Sequence, residues 1–123
     1  MLWSKVIGAG GVGGAGGVGG PEGWDVSTAV FNQSFSVAAQ ETTPFDVSFK
    51  PDGLKMYIIG GDQGRVHEYN LSTAWNISTA VFLQSFSVAA QETFPFGLFF
   101  KPDGTKMYVI GVISDAVHEY DLG

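Results

Sequence analysis

Pro44-Phe45-Asp46-Val47-Ser48-Phe49-Lys50-Pro51-Asp52-Gly53-Leu54-Lys55-Met56-Tyr57-Ile58-Ile59-Gly60 returns as Pro95 to Gly111, displaced by 51 positions without an insertion. The repeat extends beyond this stretch. Trp24 to Ser72 aligns with Trp75 to Gly123 without a gap, and about two-thirds of the aligned positions are identical. A fixed period of this size means supersecondary units stacked in series.

Within one unit the periodicity is that of strands. Ala29 to Val37 alternates, with Ala29, Phe31, Phe35 and Val37 expected on one face and Asn32, Ser34 and Ser36 on the other. Phe45 to Phe49 is a short apolar strand. Lys50-Pro51-Asp52-Gly53 is a turn, because Pro presets φ and Gly accepts the positive φ that closes a hairpin. Lys55 to Ile59 returns, Gly60 to Gly64 turns again, and Val66 to Leu71 is a further strand. The second unit repeats the order over Val81 to Val88, Phe96 to Phe100, Lys106 to Ile110 and Val117 to Leu122. The expected fold is all-β, with a Gly-rich segment over 1–23 and repeats over 24–73 and 74–123.

Composition narrows the function classes. The net charge of −6 opposes nucleic acid, where Lys and Arg must neutralise phosphates, and opposes anionic membrane surfaces. Cys is absent, so disulfides and thiol chemistry are excluded. Met1 to Ile7 lacks the apolar core of a signal peptide, and no apolar run is long enough for a bilayer. Carriage on a virus particle is compatible with both.

Residues 8–20 are Gly-rich with Ala9, Val12, Ala15 and Val18 at every third position. The G-x-G-x-x-G match from Gly8 to Gly13 is rejected as a dinucleotide site, since neither a helix pattern nor a βαβ unit follows. A flexible linker and an extended three-residue helix, which would form only in a bundle, are the two readings. The composition resembles Gly-rich segments of phage tail and fibre proteins.

Pro95-Phe96-Gly97-Leu98-Phe99-Phe100-Lys101-Pro102-Asp103-Gly104-Thr105-Lys106-Met107-Tyr108-Val109, followed by Val117-His118-Glu119-Tyr120-Asp121-Leu122, resembles a blade of the YVTN/WD40-like β-propeller repeats. The resemblance covers nearly all of 24–123. It departs at Asp46, where the family favours Gly, and at Asn70, where Asp is usual. It implies two four-stranded antiparallel blades, the strand before each P-x-G run being the outermost strand of the preceding blade. Two blades cannot close a ring of about four to eight. Each open junction would bury on the order of 1,000 Å² or more. The expectation is a homotrimer with a six-bladed ring, or a tetramer with eight. Val30, Phe31, Phe35 and Val37 of one copy would close against Val117 and Tyr120 of the next.

Chemistry is expected on the ring face that carries the loops 38–44 and 60–65. Glu41, Asp46, Asp62, Gln63, Arg65, Glu92 and Asp115 are the candidate ligand-binding residues, against the alternative of a solvated acidic rim. A Ca²⁺ ion, if bound, would sit on Asp46. His67 and His118 precede Glu68 and Glu119, but adjacent strand residues face opposite ways, so neither pair forms a dyad. Trp24 and Trp75 read as packing residues, with sugar stacking as the alternative. No nucleophile motif or metal-spaced His cluster appears. The expected function is a non-enzymatic interaction module that binds a surface glycan or protein. A propeller lactonase with a carboxylate-held metal and a purely structural self-assembling ring are the alternatives.

Overall fold

The computed structural model describes residues 23–123. The Gly-rich readings over 8–20 lie outside the described residues. Strand β1 spans Pro44–Phe49, β2 Lys55–Gly60, β3 Arg65–Leu71, β4 Ala80–Ser87, β5 Pro95–Phe100, β6 Lys106–Gly111 and β7 Val117–Asp121. They form two antiparallel sheets, one in the order β1-β2-β3-β4 and one in the order β5-β6-β7. The fold is all-β, and the strand bounds match those expected to within one residue apart from the first alternating stretch.

The Lys50–Gly53 turn forms as its residues dictate. The Gly53 N–H donates to the Lys50 carbonyl at 2.8 Å, with Gly53 at φ +76°. Asp52 Oδ1 accepts from the Leu54 N–H at 2.9 Å, and Asp103 accepts from Thr105 in the second repeat. These acids are turn caps.

The chain divides into two units, Met1–Asn32 and Gln33–Gly123, and both sheets belong to the second. The sheets pack on each other. Ile59, Val66 and Val88 from the first meet Leu98, Met107 and Val109 from the second in one buried cluster. Phe86 stacks edge-on to Tyr120 at 5.8 Å, and Tyr57 packs on Phe100 at 4.4 Å. The far face of the first sheet carries a second cluster, Met56, Ile58, Tyr69, Leu71 and Ala80, with Phe35 and Val37 packed against it.

The alternating stretch behaves differently in its two copies. Ala80–Ser87 is the outermost strand of the first sheet, as the resemblance implies. Its ladder to β3 carries a bulge, so that Gln84 opposes Glu68 while Phe82 opposes Tyr69, with Leu83 between them. The bulge breaks the simple alternation. Phe82 lies with Tyr69 on one face and Phe86 with Val66 on the other. Ala29–Val37, expected as a strand, is not one within the chain. A single 3-10 turn, Val26–Thr28, precedes it, capped by Asp25 as Asn76 caps Ile77–Thr79. A strand needs a ladder partner, and β7, the equivalent of the β3 that partners Ala80–Ser87, has β6 as its only neighbour among the described residues.

Candidate functional site

Where the loops 38–44 and 60–65 meet, each repeat buries a carboxylate. Glu41 accepts hydrogen bonds from the Thr43 N–H at 3.1 Å and the Asp62 N–H at 3.0 Å. Its Oε1 lies 3.2 Å from His67 Nε2, and His67 Nδ1 lies 2.7 Å from Ser85 Oγ. Glu41 and His67 are both fully buried. Gly60 is required beside them, because a Cβ there would stand 2.4 Å from the Glu41 carboxyl carbon.

Glu92 repeats the arrangement with a different set of donors. It accepts from the N–H groups of Phe94 at 3.0 Å, Ile113 at 3.2 Å and Ser114 at 3.2 Å, and from the Ser114 hydroxyl. The Ser114 hydroxyl and these amides favour the charged form and hold the carboxyl at about 2. Ser114 Oγ also lies 2.9 Å from His118 Nε2. Tyr69 and Tyr120 close the sides of the two sites by donating to Gln40 and Gln91. A carboxylate held this low stays ionised near neutral pH and has no proton to deliver as a general acid. Both ring nitrogens of His67 are engaged, so it is a packed histidine rather than an open ligand.

The candidate residues therefore separate into three groups. Glu41 and Glu92 are buried clasps for the loops, not parts of an open acidic rim. Asp62, Gln63, Arg65 and Asp115 are exposed on those loops, with Asp62 accepting from Thr42 Oγ1 at 3.1 Å. Asp46 lies between the sheets. Its Oδ1 accepts from its own neighbour's N–H, Val47, at 2.8 Å, and its Oδ2 accepts from Leu98 in β5 at 2.9 Å. Among the described residues no group of three or more His, Asp or Glu side chains is placed to hold a metal ion. Among the described residues the lysines are paired with carboxylates: Lys50 with Asp52, Lys101 with Asp103, Lys55 with Glu68, and Lys106 with Glu119 and Asp121.

Of the expected closure residues, Phe35 and Val37 pack on the far face of the first sheet, and Tyr120 stacks on Phe86. Val30, Phe31 and Val117 are exposed. Two relationships were not read from the sequence. One is the Glu41–His67 pair. Its signal was available, since Glu92 and His118 recur at the same separation. The other is the seat of Trp75, whose backbone N–H donates to the Gly53 carbonyl at 2.9 Å and whose indole lies over Gly53 and packs on Phe49 at 5.4 Å. Trp24, its counterpart, is fully exposed, and Gly104, the counterpart of Gly53, has nothing within 4 Å of its Cβ position.

No family model matches the sequence, and no curated protein does. Among solved structures the chain is similar to one from Bacteroides uniformis that carries the name putative 6-phosphogluconolactonase, at 18% identity and a TM-score of 0.52. The similarity covers 65% of this chain and 23% of that one, so the chain spans under a quarter of its neighbour's length. The likeness is one of fold.

Proposed function

We propose that the chain is a non-enzymatic, self-assembling β-propeller module, two blades per copy, which closes head-to-tail into a ring of three copies. A ring of four is the alternative. One observation carries this reading. Residues that occupy the same place in successive repeats are buried where a second sheet covers them and bare where none does. Ile59 is 0% exposed and Ile110 48%; Val66 is 4% exposed and Val117 65%. On the opposite face Leu98 is 8% exposed and Val47 50%. The bare face around Ile110 and Val117 thus matches the face that already receives Leu98, and the bare face around Val47 matches the one that already covers Ile59. The occupant that fits both is a second copy of the chain.

The loop ends support the same pairing. Within the chain, Phe94 fits against Gly61. At a junction between copies the corresponding residues are Thr43 and Val112, the smaller partner having grown and the larger having shrunk. Contact volume is conserved by such an exchange. A heterologous contact of this kind closes when its rotation divides the circle.

A module of this design presents the loops of Asp62, Gln63, Arg65 and Asp115 several times on one ring face. Its function is multivalent attachment to a surface glycan or protein. The lactonase alternative expected from the sequence draws some support from the name of the Bacteroides neighbour. Against it stand Lys50, Lys55, Lys101 and Lys106, each occupied by an acid, which leaves them poorly placed to receive a phosphorylated sugar acid. Native mass measured at micromolar concentration tests the main reading: three or four chain masses are expected, and a folded monomer would falsify it. Hydrolysis of 6-phosphogluconolactone by the assembled protein would favour the lactonase instead.

A further inference from the structure

We infer that residues Trp24–Ser36 of a second copy complete the three-stranded sheet, adding a fourth strand to β7 and seating the Trp24 indole over Gly104. This rests on the ring reading and names the contact that latches it.

The template is inside the chain. Ala80–Ser87 follows Trp75 and the Asn76-capped turn, and pairs with β3 in a fixed register. The segment after Trp24 has the same local build before it has any partner. Trp24 is held at φ +65° and Trp75 at φ +64°, a left-handed conformation that is rare for an aromatic residue. Asp25 caps Val26–Thr28 as Asn76 caps Ile77–Thr79. The receiving side is equally preformed. A cleft of about 560 Å³ runs between the two sheets, lined by Tyr57, Glu68 and Phe86 on one side and by Phe100, Gly104 and Tyr120 on the other; Phe100 and Gly104 are the counterparts of the Phe49 and Gly53 that hold Trp75.

Displaced by one repeat, the register of β3 and β4 sets Phe35 opposite Val117, Gln33 opposite Glu119 and Phe31 opposite Tyr120. It also sets Ser34 opposite His118, as Ser85 stands opposite His67 and meets its Nδ1. The His118 site is therefore incomplete without the second copy. The chain cannot supply this strand to itself. Phe35 and Val37 are fixed on the face of the first sheet that points away from the second, beside Met56 and Tyr69. They stand there as Phe86 and Val88 stand against the second sheet: Phe35 meets Tyr69 edge-on at 5.9 Å and Phe86 meets Tyr120 edge-on at 5.8 Å. Phe35 and Val37 thus have the first sheet between them and their own β7. Strand addition to a free edge supplies main-chain hydrogen bonds, and the side-chain pockets supply specificity.

The chain has no Cys, so paired cysteines report the contact directly. The full-length Gln33→Cys/Glu119→Cys variant, oxidised mildly and run on a denaturing gel, is expected to give covalent multimers up to the native ring mass. Glu68→Cys/Gln84→Cys, its counterpart inside the chain, should bridge without a change in mass. Gln33→Cys/Asp121→Cys, out of register, should not bridge. A ring of native mass that lacks the Gln33–Glu119 bridge, or a bridge confined to single chains, overturns the strand while leaving the ring reading intact. A monomer overturns both. Independently, Trp24→Ala should raise the concentration at which the ring dissociates at least tenfold with the secondary structure of the chain retained, and an unchanged dissociation overturns the indole seat.

Discussion

Gly61 and Phe94 fit each other across the junction between the two sheets: a Cβ on Gly61 would stand 2.4 Å from the Phe94 ring and 2.9 Å from that of Phe45. The three rings of Phe45, Phe94 and Phe96 close round this gap, with Phe45 and Phe94 edge-on at 5.6 Å. Gly61→Val should overpack the junction and cost about 1–3 kcal/mol. Phe94→Thr should leave it underfilled and cost about 3 kcal/mol. The double variant recreates the Val112 and Thr43 combination of the other repeat ends, and is expected to lose clearly less than the two single losses combined. Urea unfolding of the four proteins measures the coupling, and simple additivity would show that the two positions do not compensate.

The exposed face around Val117 gives a sharper separation of folding from assembly. Val117→Asp changes a residue that is bare in the single chain, so its cost to the fold should lie within about 0.5 kcal/mol. The same change should leave the protein monomeric, because it places a charge where a second copy would bury it. Val66→Asp, at the equivalent buried position, should unfold the chain or cost about 3 kcal/mol or more. Circular dichroism and light scattering on both variants check this. A Val117→Asp protein that keeps the wild-type mass would remove Val117 from any interface.

Much of the architecture was legible because its determinants are local. The Lys50–Gly53 turn needs only Pro51, Asp52 and Gly53 in order; the run of β-formers signals the strand of Ala80–Ser87, though the nearly identical Ala29–Ser36 forms none where no ladder partner meets it. Less of the site was legible, because its determinants meet through space. Glu41 looked like part of an acidic rim, since acids are normally solvated. It is buried because the Thr43 and Asp62 amides and His67 converge on it, from positions up to 26 residues away. The bulge at Leu83 was equally hidden. It depends on the register with β3, and no spacing within the strand reveals it.

Glu92 makes part of the stability dependent on pH. Its carboxyl falls from an ordinary 4.5 to about 2 in the folded chain, chiefly through the Ser114 hydroxyl and then through the amides of Phe94, Ser114 and Ile113. The folded state thus binds this proton less readily than the unfolded chain does. The stabilisation is complete above about pH 4.5 and is lost as pH falls through 2. Wild-type Tm should drop across that window. Glu92→Gln should melt lower at pH 7 and show a shallower drop below pH 4.5. Parallel curves for the two proteins would assign the acid sensitivity to other carboxylates.

Asp46 distinguishes a staple from a metal ligand. One oxygen accepts from Val47 in its own strand and the other from Leu98 in the neighbouring sheet, so the side chain ties β1 to β5. Asp46→Ala removes both acceptors and should cost about 1.5–3 kcal/mol, the range for a hydrogen bond to a charged group. Asp46→Asn keeps one acceptor but turns an NH₂ donor toward the other amide, so it should fall between wild type and Ala. That ordering requires no added ion. If Asp46 instead held Ca²⁺, the ion would bind only the folded state and raise the wild-type Tm with concentration, and Asp46→Ala would abolish the rise. Melting the three proteins with EDTA and with millimolar Ca²⁺ separates the two roles: the staple predicts three distinct melting temperatures that Ca²⁺ does not move.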